Sequence, residues 1–214
     1  MRLAGGPRAP LPRRLGLLGM GLVFVAVGVA LTIRAEIGVA PYDVLTTGLV
    51  ELTGIDIGLA AMLVPAVFVG IGTVLGRRPG PGTLVAVLAV GPILGIVLDL
   101  LPHPEALAPR LALFATGFVV LAAGITAMVI AELGPGPAEL VMLALYGRGY
   151  PLAWARTGIE AASVAIGWAM GGQVGVGTLV VAATIGVTLR TMLTAAGYAP
   201  ARAATASDTA SPGA

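Results

Sequence analysis

The chain has 214 residues, of which 57% are hydrophobic and 10% charged, with a mean hydropathy of +1.00. Soluble domains carry roughly 25% charged residues, so the composition excludes a water-soluble globular protein. The net charge of +2 rests on 12 arginines against 10 acids, with no lysine, an excess too small and scattered for nucleic-acid binding.

Residues 1–14 hold Arg2, Arg8, Arg13 and Arg14 ahead of an apolar run. A secretory signal peptide starts in the same way, but this run extends over 15–33 and has an internal copy, so it reads as a retained helix. A helix needs about 20 residues to cross roughly 30 Å of hydrocarbon at 1.5 Å per residue. Runs near that length predict spans at 15–33, 57–75, 83–101, 111–130, 152–169 and 178–196. Two shorter helices, too short to cross, are predicted at 41–53 and 137–146, and a loop at 102–110. The tail 197–214 is rich in Ala, Ser, Thr and Pro and is expected to be a disordered cytoplasmic segment. The fold class is therefore an all-α membrane protein of six transmembrane helices. Arginine placement orients it: Arg77, Arg78, Arg148 and Arg202 fall on the side of the basic N-terminus, so both termini are expected to be cytoplasmic in the cell membrane. Arg34 and Arg110 fall outside, near Glu36 and Glu105.

A shift of 96 residues overlays the first half on the second. Gly21, Gly28, Glu36, Gly38 and Pro41 meet Gly117, Gly124, Glu132, Gly134 and Pro137. Residues 15–45 show 10 identities where this composition would give roughly 3, which marks a repeat. At a shift of 95, Gly80-x-Gly82-Thr83-Leu84-Val85 meets Gly175-x-Gly177-Thr178-Leu179-Val180. Each unit, 15–101 and 111–196, then holds three spans and one short helix. An odd number of spans inverts the second copy, an architecture frequent among secondary transporters.

Certain motifs resemble those of the YczE/YyaS/YitT family of bacterial membrane proteins, on its YczE-like side, over residues 15–196. They are Gly38-x-x-Pro41-Tyr42-Asp43, Arg78-Pro79-Gly80-x-Gly82-Thr83 and Gly134-x-Gly136-Pro137. The most specific stretch is Arg156-Thr157-Gly158-Ile159-Glu160, followed by Gly167-Trp168 and Gly175-x-Gly177-Thr178. Tyr42 stands where the family more usually has Trp, and Ala138-Glu139 where members commonly show Arg-Asp. The resemblance implies a polytopic helical fold, and transport or export of small molecules as the functional expectation.

Pro41 and Pro137 suit the first position of a helix, where the missing N–H costs nothing. Asp43 and Glu139 follow two residues later, where a carboxylate offsets the positive helix end. Two readings stand: interfacial helices capped by these acids, or re-entrant half-helices whose ends, with Tyr42, face a substrate. Irregular backbone at membrane depth is tolerated only where it is buried in protein or lines a cavity. Arg156 and Glu160, spaced i,i+4, share a face of the 152–169 helix and predict an ion pair. Glu160 would lie about 12 Å inside the membrane, with Arg190 as a second candidate partner. Such a pair either serves function or locks helices together. Arg34, Glu36 and Asp99 read as a surface network, and His103 as a loop residue without a role. Gly-x-Gly-Thr reads as helix-start chemistry, since a phosphate loop needs a lysine and a preceding strand.

Zero cysteines exclude disulfides and thiolate metal sites, and one histidine argues against a zinc or haem centre. No cofactor is expected, and without a nucleophile–base pair no enzyme activity either. The leading expectation is a secondary transporter of a small organic molecule, with Glu160, Asp43 or Glu139 as the candidate proton-coupling groups. The alternative is an accessory membrane subunit. Expected partners are membrane lipid, a small-molecule substrate, and a second copy of the chain or another membrane protein.

Overall fold

The structure, a computed structural model, describes residues 9–198. Arg2, Arg8, Arg202 and nearly all of the expected tail lie outside those residues. Within them the chain forms eight helices and no strand: α1 (Leu11–Ala35), α2 (Pro41–Thr53), α3 (Ile57–Val74), α4 (Pro81–Leu100), α5 (Leu107–Ala131), α6 (Pro137–Tyr146), α7 (Leu152–Ala169) and α8 (Val176–Ala195). Both short helices stand where the sequence places them. The long helices α1 and α5 each begin four residues earlier than expected, because Pro10 and Ala106 supply extended backbone ahead of the first turn.

Five helices, α1, α3, α4, α5 and α8, are long and apolar enough to cross a membrane. The sixth expected span, α7, is not among them. It has 18 residues, as α3 does, but Arg156 and Glu160 lower its hydropathy.

The centre is an antiparallel pair, α1 against α5. Gly21 and Gly28 on α1 and Gly117 and Gly124 on α5 are each seven residues apart, a spacing that returns to one helix face. The backbones meet there: a Cβ on Gly28 would lie 2.5 Å from the Leu121 nitrogen, and one on Gly124 2.6 Å from that of Val25. Around this spine α4 packs on α1, and α8 packs on α5. Ala26, Val29, Ala30, Leu94 and Leu121 fill the first junction, and Phe114, Ala122, Val181 and Ile185 the second. The remaining four helices close a ring, in which α2 touches α3, α3 touches α6, α6 touches α7 and α7 touches α2.

Paired arginines close the two ends of the spine. Arg14 donates to the carbonyls of Ala131 and Glu132, at 2.9 and 2.6 Å. Arg110 donates to those of Ala35 and Glu36, at 2.8 and 2.6 Å. Each guanidinium thus satisfies carbonyls that the end of the opposite helix leaves without partners. Glu36 and Glu132, the C-caps of α1 and α5, share left-handed φ values of 50° and 51°.

Candidate functional site

The chain breaks twice inside the bundle, at residues 37–40 and 133–136, and each break rests on a Gly-x-Gly-Thr helix start from the other half. Gly177 N–H donates to the Ile37 carbonyl at 3.0 Å, and Gly82 N–H to that of Leu133 at 2.8 Å. Gly38 and Gly134 have φ of 122° and 143°, and a Cβ on either would lie within 2.7 Å of the threonine hydroxyl beneath it, Thr178 or Thr83. Both the φ and the close approach demand glycine. The threonines complete the seats: Gly175 and Gly80 N–H donate to the hydroxyls of Thr178 and Thr83 at 3.3 Å. The two motifs read separately in the sequence are therefore halves of one joint, as helix-start chemistry requires.

Pro41 and Pro137 open α2 and α6, and Gly54 closes α2 in the left-handed conformation. The start of α2 is not at a helix-bundle surface. Tyr42 meets Phe68 edge-on, with ring centroids 5.1 Å apart, and Phe68 lies about 16 Å along α3 from Ile57 at 1.5 Å per residue. The N-terminus of α2 is thus inside the bundle and its C-terminus nearer the Arg110 end. Asp43 is buried, 9% exposed, and belongs to neither ion pair among the described residues. Among the described residues the Tyr42 hydroxyl is buried without a hydrogen-bond partner. One turn beyond Phe68 on α3, Leu140 of α6 packs against Gly72, so the starts of both short helices lie along α3. Glu139 itself is exposed and folds back over Gly136.

Arg156 and Glu160 form the expected ion pair, at 2.9 Å, with side chains 43% and 31% exposed. The pair faces away from the ring, and Arg190, exposed on α8, is not part of it. The cause lies in packing. Helices α3 and α4 touch at Gly58 and Gly91, where a Cβ on Gly91 would lie 2.2 Å from the Gly58 carbonyl oxygen. On α8, by contrast, Gly186 has nothing within 4 Å among the described residues, and α7 is not among the helices packed on α8. With α7 and α8 apart, Arg190 cannot serve as the expected second partner of Glu160.

A further group of residues escapes the sequence reading. At the Arg110 end a cavity of about 430 Å³ is bordered by Arg34, Glu36, Thr47, Glu51, His103 and Gln173, with apolar walls from Ile33, Val50, Ile57 and Leu98. The Arg34 guanidinium donates to His103 and to the Leu98 carbonyl, so His103 has a partner and Arg34 is more than a surface charge. Asp99, grouped with them from sequence, is exposed and outside the cavity. One signal was legible: Asp43, Thr47 and Glu51 recur every four residues, one face of α2. That face runs from the buried carboxylate to the cavity. At the Arg14 end a smaller cavity, about 280 Å³, lies between the ends of α3 and α6 and is bordered by Arg77, Gly147 and Arg148. Tyr198, beyond α8, donates to Glu132 at 2.9 Å; burial and the neighbouring carboxylate push its phenol up to about 12.

The model of a family of unknown function (DUF6198) matches residues 12–194. The chain is similar to an uncharacterized membrane protein of Bacillus subtilis, YczE, at 32% identity over 173 residues, 79% of this chain and 80% of that one. An uncharacterized protein of Haemophilus influenzae is 27% identical over 175 residues, 81% and 80% of the two chains. The B. subtilis protein YyaS is 24% identical over 183 residues, 82% and 90%. No solved structure matches.

Proposed function

The chain belongs to the family of unknown function DUF6198, and from that premise and the geometry of its two breaks we propose that this membrane protein is a secondary carrier of a small organic molecule. The observation that carries the reading is the burial of Tyr42 and Asp43 at the inner end of α2, with the start of α6 packed one turn away along α3, Leu140 against Gly72. Half-helices that end at mid-membrane, facing substrate, are a recurrent construction of secondary carriers. The reading takes the halves as inverted three-span repeats, with α7 as the sixth crossing. Helix lengths support the equivalence: 25 residues for α1 and α5, 18 for α3 and α7, 20 for α4 and α8. The matching arginine clamps and glycine seats support it further. The two cavities, one at each end, are then the alternative approaches to the same site, and both termini are cytoplasmic.

In this mechanism Asp43 binds the coupling proton. Asp43 is buried and belongs to neither ion pair among the described residues, and the polar face Asp43–Thr47–Glu51 connects it to one side. Tyr42 offers substrate a hydroxyl that has no partner among the described residues, and Glu139 is the second acid of the site. Pro41 and Pro137 set the directions of the two helix ends. The Arg156–Glu160 pair, turned outward, is assigned to fold maintenance, with Arg190 at the membrane interface.

Two measurements test the reading. Reporter fusions after Arg78 and His103 should report opposite sides of the membrane; the same side for both would refute the six-crossing repeat. Proteoliposomes with an imposed pH gradient, offered a panel of small amphiphilic compounds, should accumulate at least one of them. Asp43→Asn should abolish that accumulation without lowering thermal stability, since it strands no partner charge. The double variant Arg156→Met with Glu160→Leu removes both members of a pair and should leave stability and uptake intact. Uptake that survives Asp43→Asn, or is lost in the double variant with the fold intact, would transfer the coupling role from Asp43 to Glu160.

A further inference from the structure

The cavity at the Arg110 end is bordered by charges of both signs and by apolar walls. The cation is the Arg34 guanidinium, joined to His103 and the Leu98 carbonyl. Glu51 is exposed and in neither ion pair among the described residues, with its side chain lying over Gly171. Glu36, the other acid at the rim, is engaged with Arg110 at 3.3 Å, which leaves Glu51 as the available anion. Thr47 and Gln173, hydrogen-bonded to each other, also border the cavity, and the walls are the aliphatic side chains of Ile33, Val50, Ile57 and Leu98.

Immediately behind this lining two polar atoms have no partner: the Arg34 Nε–H, a donor, and Gln173 Oε1, an acceptor. Gln173 is otherwise held, its Nε2 donating to the Ile33 carbonyl at 3.3 Å and its backbone N–H to Thr47 at 3.0 Å. Leaving a buried donor or acceptor unpaired is costly, so a ligand that draws either atom into a hydrogen bond gains from the rotation. One unsatisfied atom belongs to the cationic side and donates; the other accepts. A ligand of one charge would satisfy only half of this arrangement. The volume of about 430 Å³ lies in the range of small-molecule sites.

We propose that this cavity binds a small zwitterion with an aliphatic body, its carboxylate on Arg34 and His103 and its ammonium between Glu51 and Gln173. An aliphatic α-amino acid has that chemistry: two opposite charges at one end and an apolar side chain for the wall of Ile33, Val50, Ile57 and Leu98. The bound ammonium then lies along the face of α2 that leads through Thr47 to Asp43. The inference names a substrate class for the carrier and depends on the carrier reading only for the movement of the bound molecule, not for its binding.

The test is equilibrium binding to the purified full-length protein in detergent, by calorimetry and by thermal-stability shift. The probes are leucine, leucinamide, which lacks the carboxylate, and N-acetylleucine, which lacks the ammonium. Leucine should bind, and each analogue should bind at least about tenfold more weakly, the loss of one charge-assisted contact. Glu51→Gln, at an exposed position where the fold is insensitive, should erase the difference between leucine and N-acetylleucine while keeping that between leucine and leucinamide. Arg34→Gln should do the reverse. Equal affinity for the three probes, or no binding of leucine, overturns the proposal, as does a Glu51→Gln protein that still discriminates against N-acetylleucine. Leucine binding without any flux in proteoliposomes would refute the carrier and leave the site standing; flux of other compounds without leucine binding would do the opposite.

Discussion

Replacing Gly28 by isoleucine should prevent the bundle from assembling. A Cβ at that position would fall 2.5 Å from the Leu121 nitrogen and 2.6 Å from its Cα, and backbone atoms at the centre of a helix pair cannot turn aside as a side-chain tip can. Overpacking a core typically costs about 1–3 kcal/mol because neighbours adjust. Here α1 and α5 would have to separate along their whole shared face, with loss of the dispersion contacts that hold membrane helices together. The separation would also pull the two arginine clamps off their carbonyls. The measurement is the yield and melting temperature of detergent-purified protein, beside Gly19→Ile on the same helix, where nothing lies within 4 Å. That control should melt like the parent. A Gly28→Ile protein that melts with them would mean the spine is not closely packed at this point.

Arg110→Ala should cost about 2–3 kcal/mol of stability. It removes two charge-assisted hydrogen bonds, to Ala35 at 2.8 Å and Glu36 at 2.6 Å, and an ion pair with the Glu36 carboxylate at 3.3 Å. Hydrogen bonds to charged groups contribute about 1.5–3 kcal/mol each. The side chains are 27% and 51% exposed, so water replaces part of the interaction and the sum is discounted. Arg110→Lys should recover less than half of the loss, because one ammonium cannot bridge two carbonyls as the planar fork does. Arg14→Ala should cost a similar amount, since it makes the same two backbone contacts, although without a carboxylate. Chemical or thermal unfolding in detergent reads all three variants. Full recovery by lysine would show that charge alone, and not the fork, holds the helix ends.

The amino-acid sequence by itself determined the membrane class, the two short helices and their proline starts. These follow from local rules: run length against bilayer thickness and the missing N–H of proline. The Arg156–Glu160 pair was legible for the same reason, as an i,i+4 contact within one helix. Residue identities between the two halves were visible in the sequence, but not that each Gly-x-x-Pro break sits on the Gly-x-Gly-Thr start of the other half. That joint brings residues 38 and 178 together, and no local spacing encodes a pairing so distant in sequence.

Tertiary packing alone decided the rest. It moved Arg34 and His103 from a surface network and an idle loop into the border of a cavity, since Glu51 reaches that place from α2 and Gln173 from the segment between α7 and α8. It also separated α7 from α8, where Gly186 meets no neighbour among the described residues, and so denied Glu160 the partner that helical depth had suggested in Arg190. Depth along a helix is a one-dimensional quantity readable from sequence. The direction a side chain faces in the assembled bundle depends on which helices touch, and that is settled by close contacts between backbones.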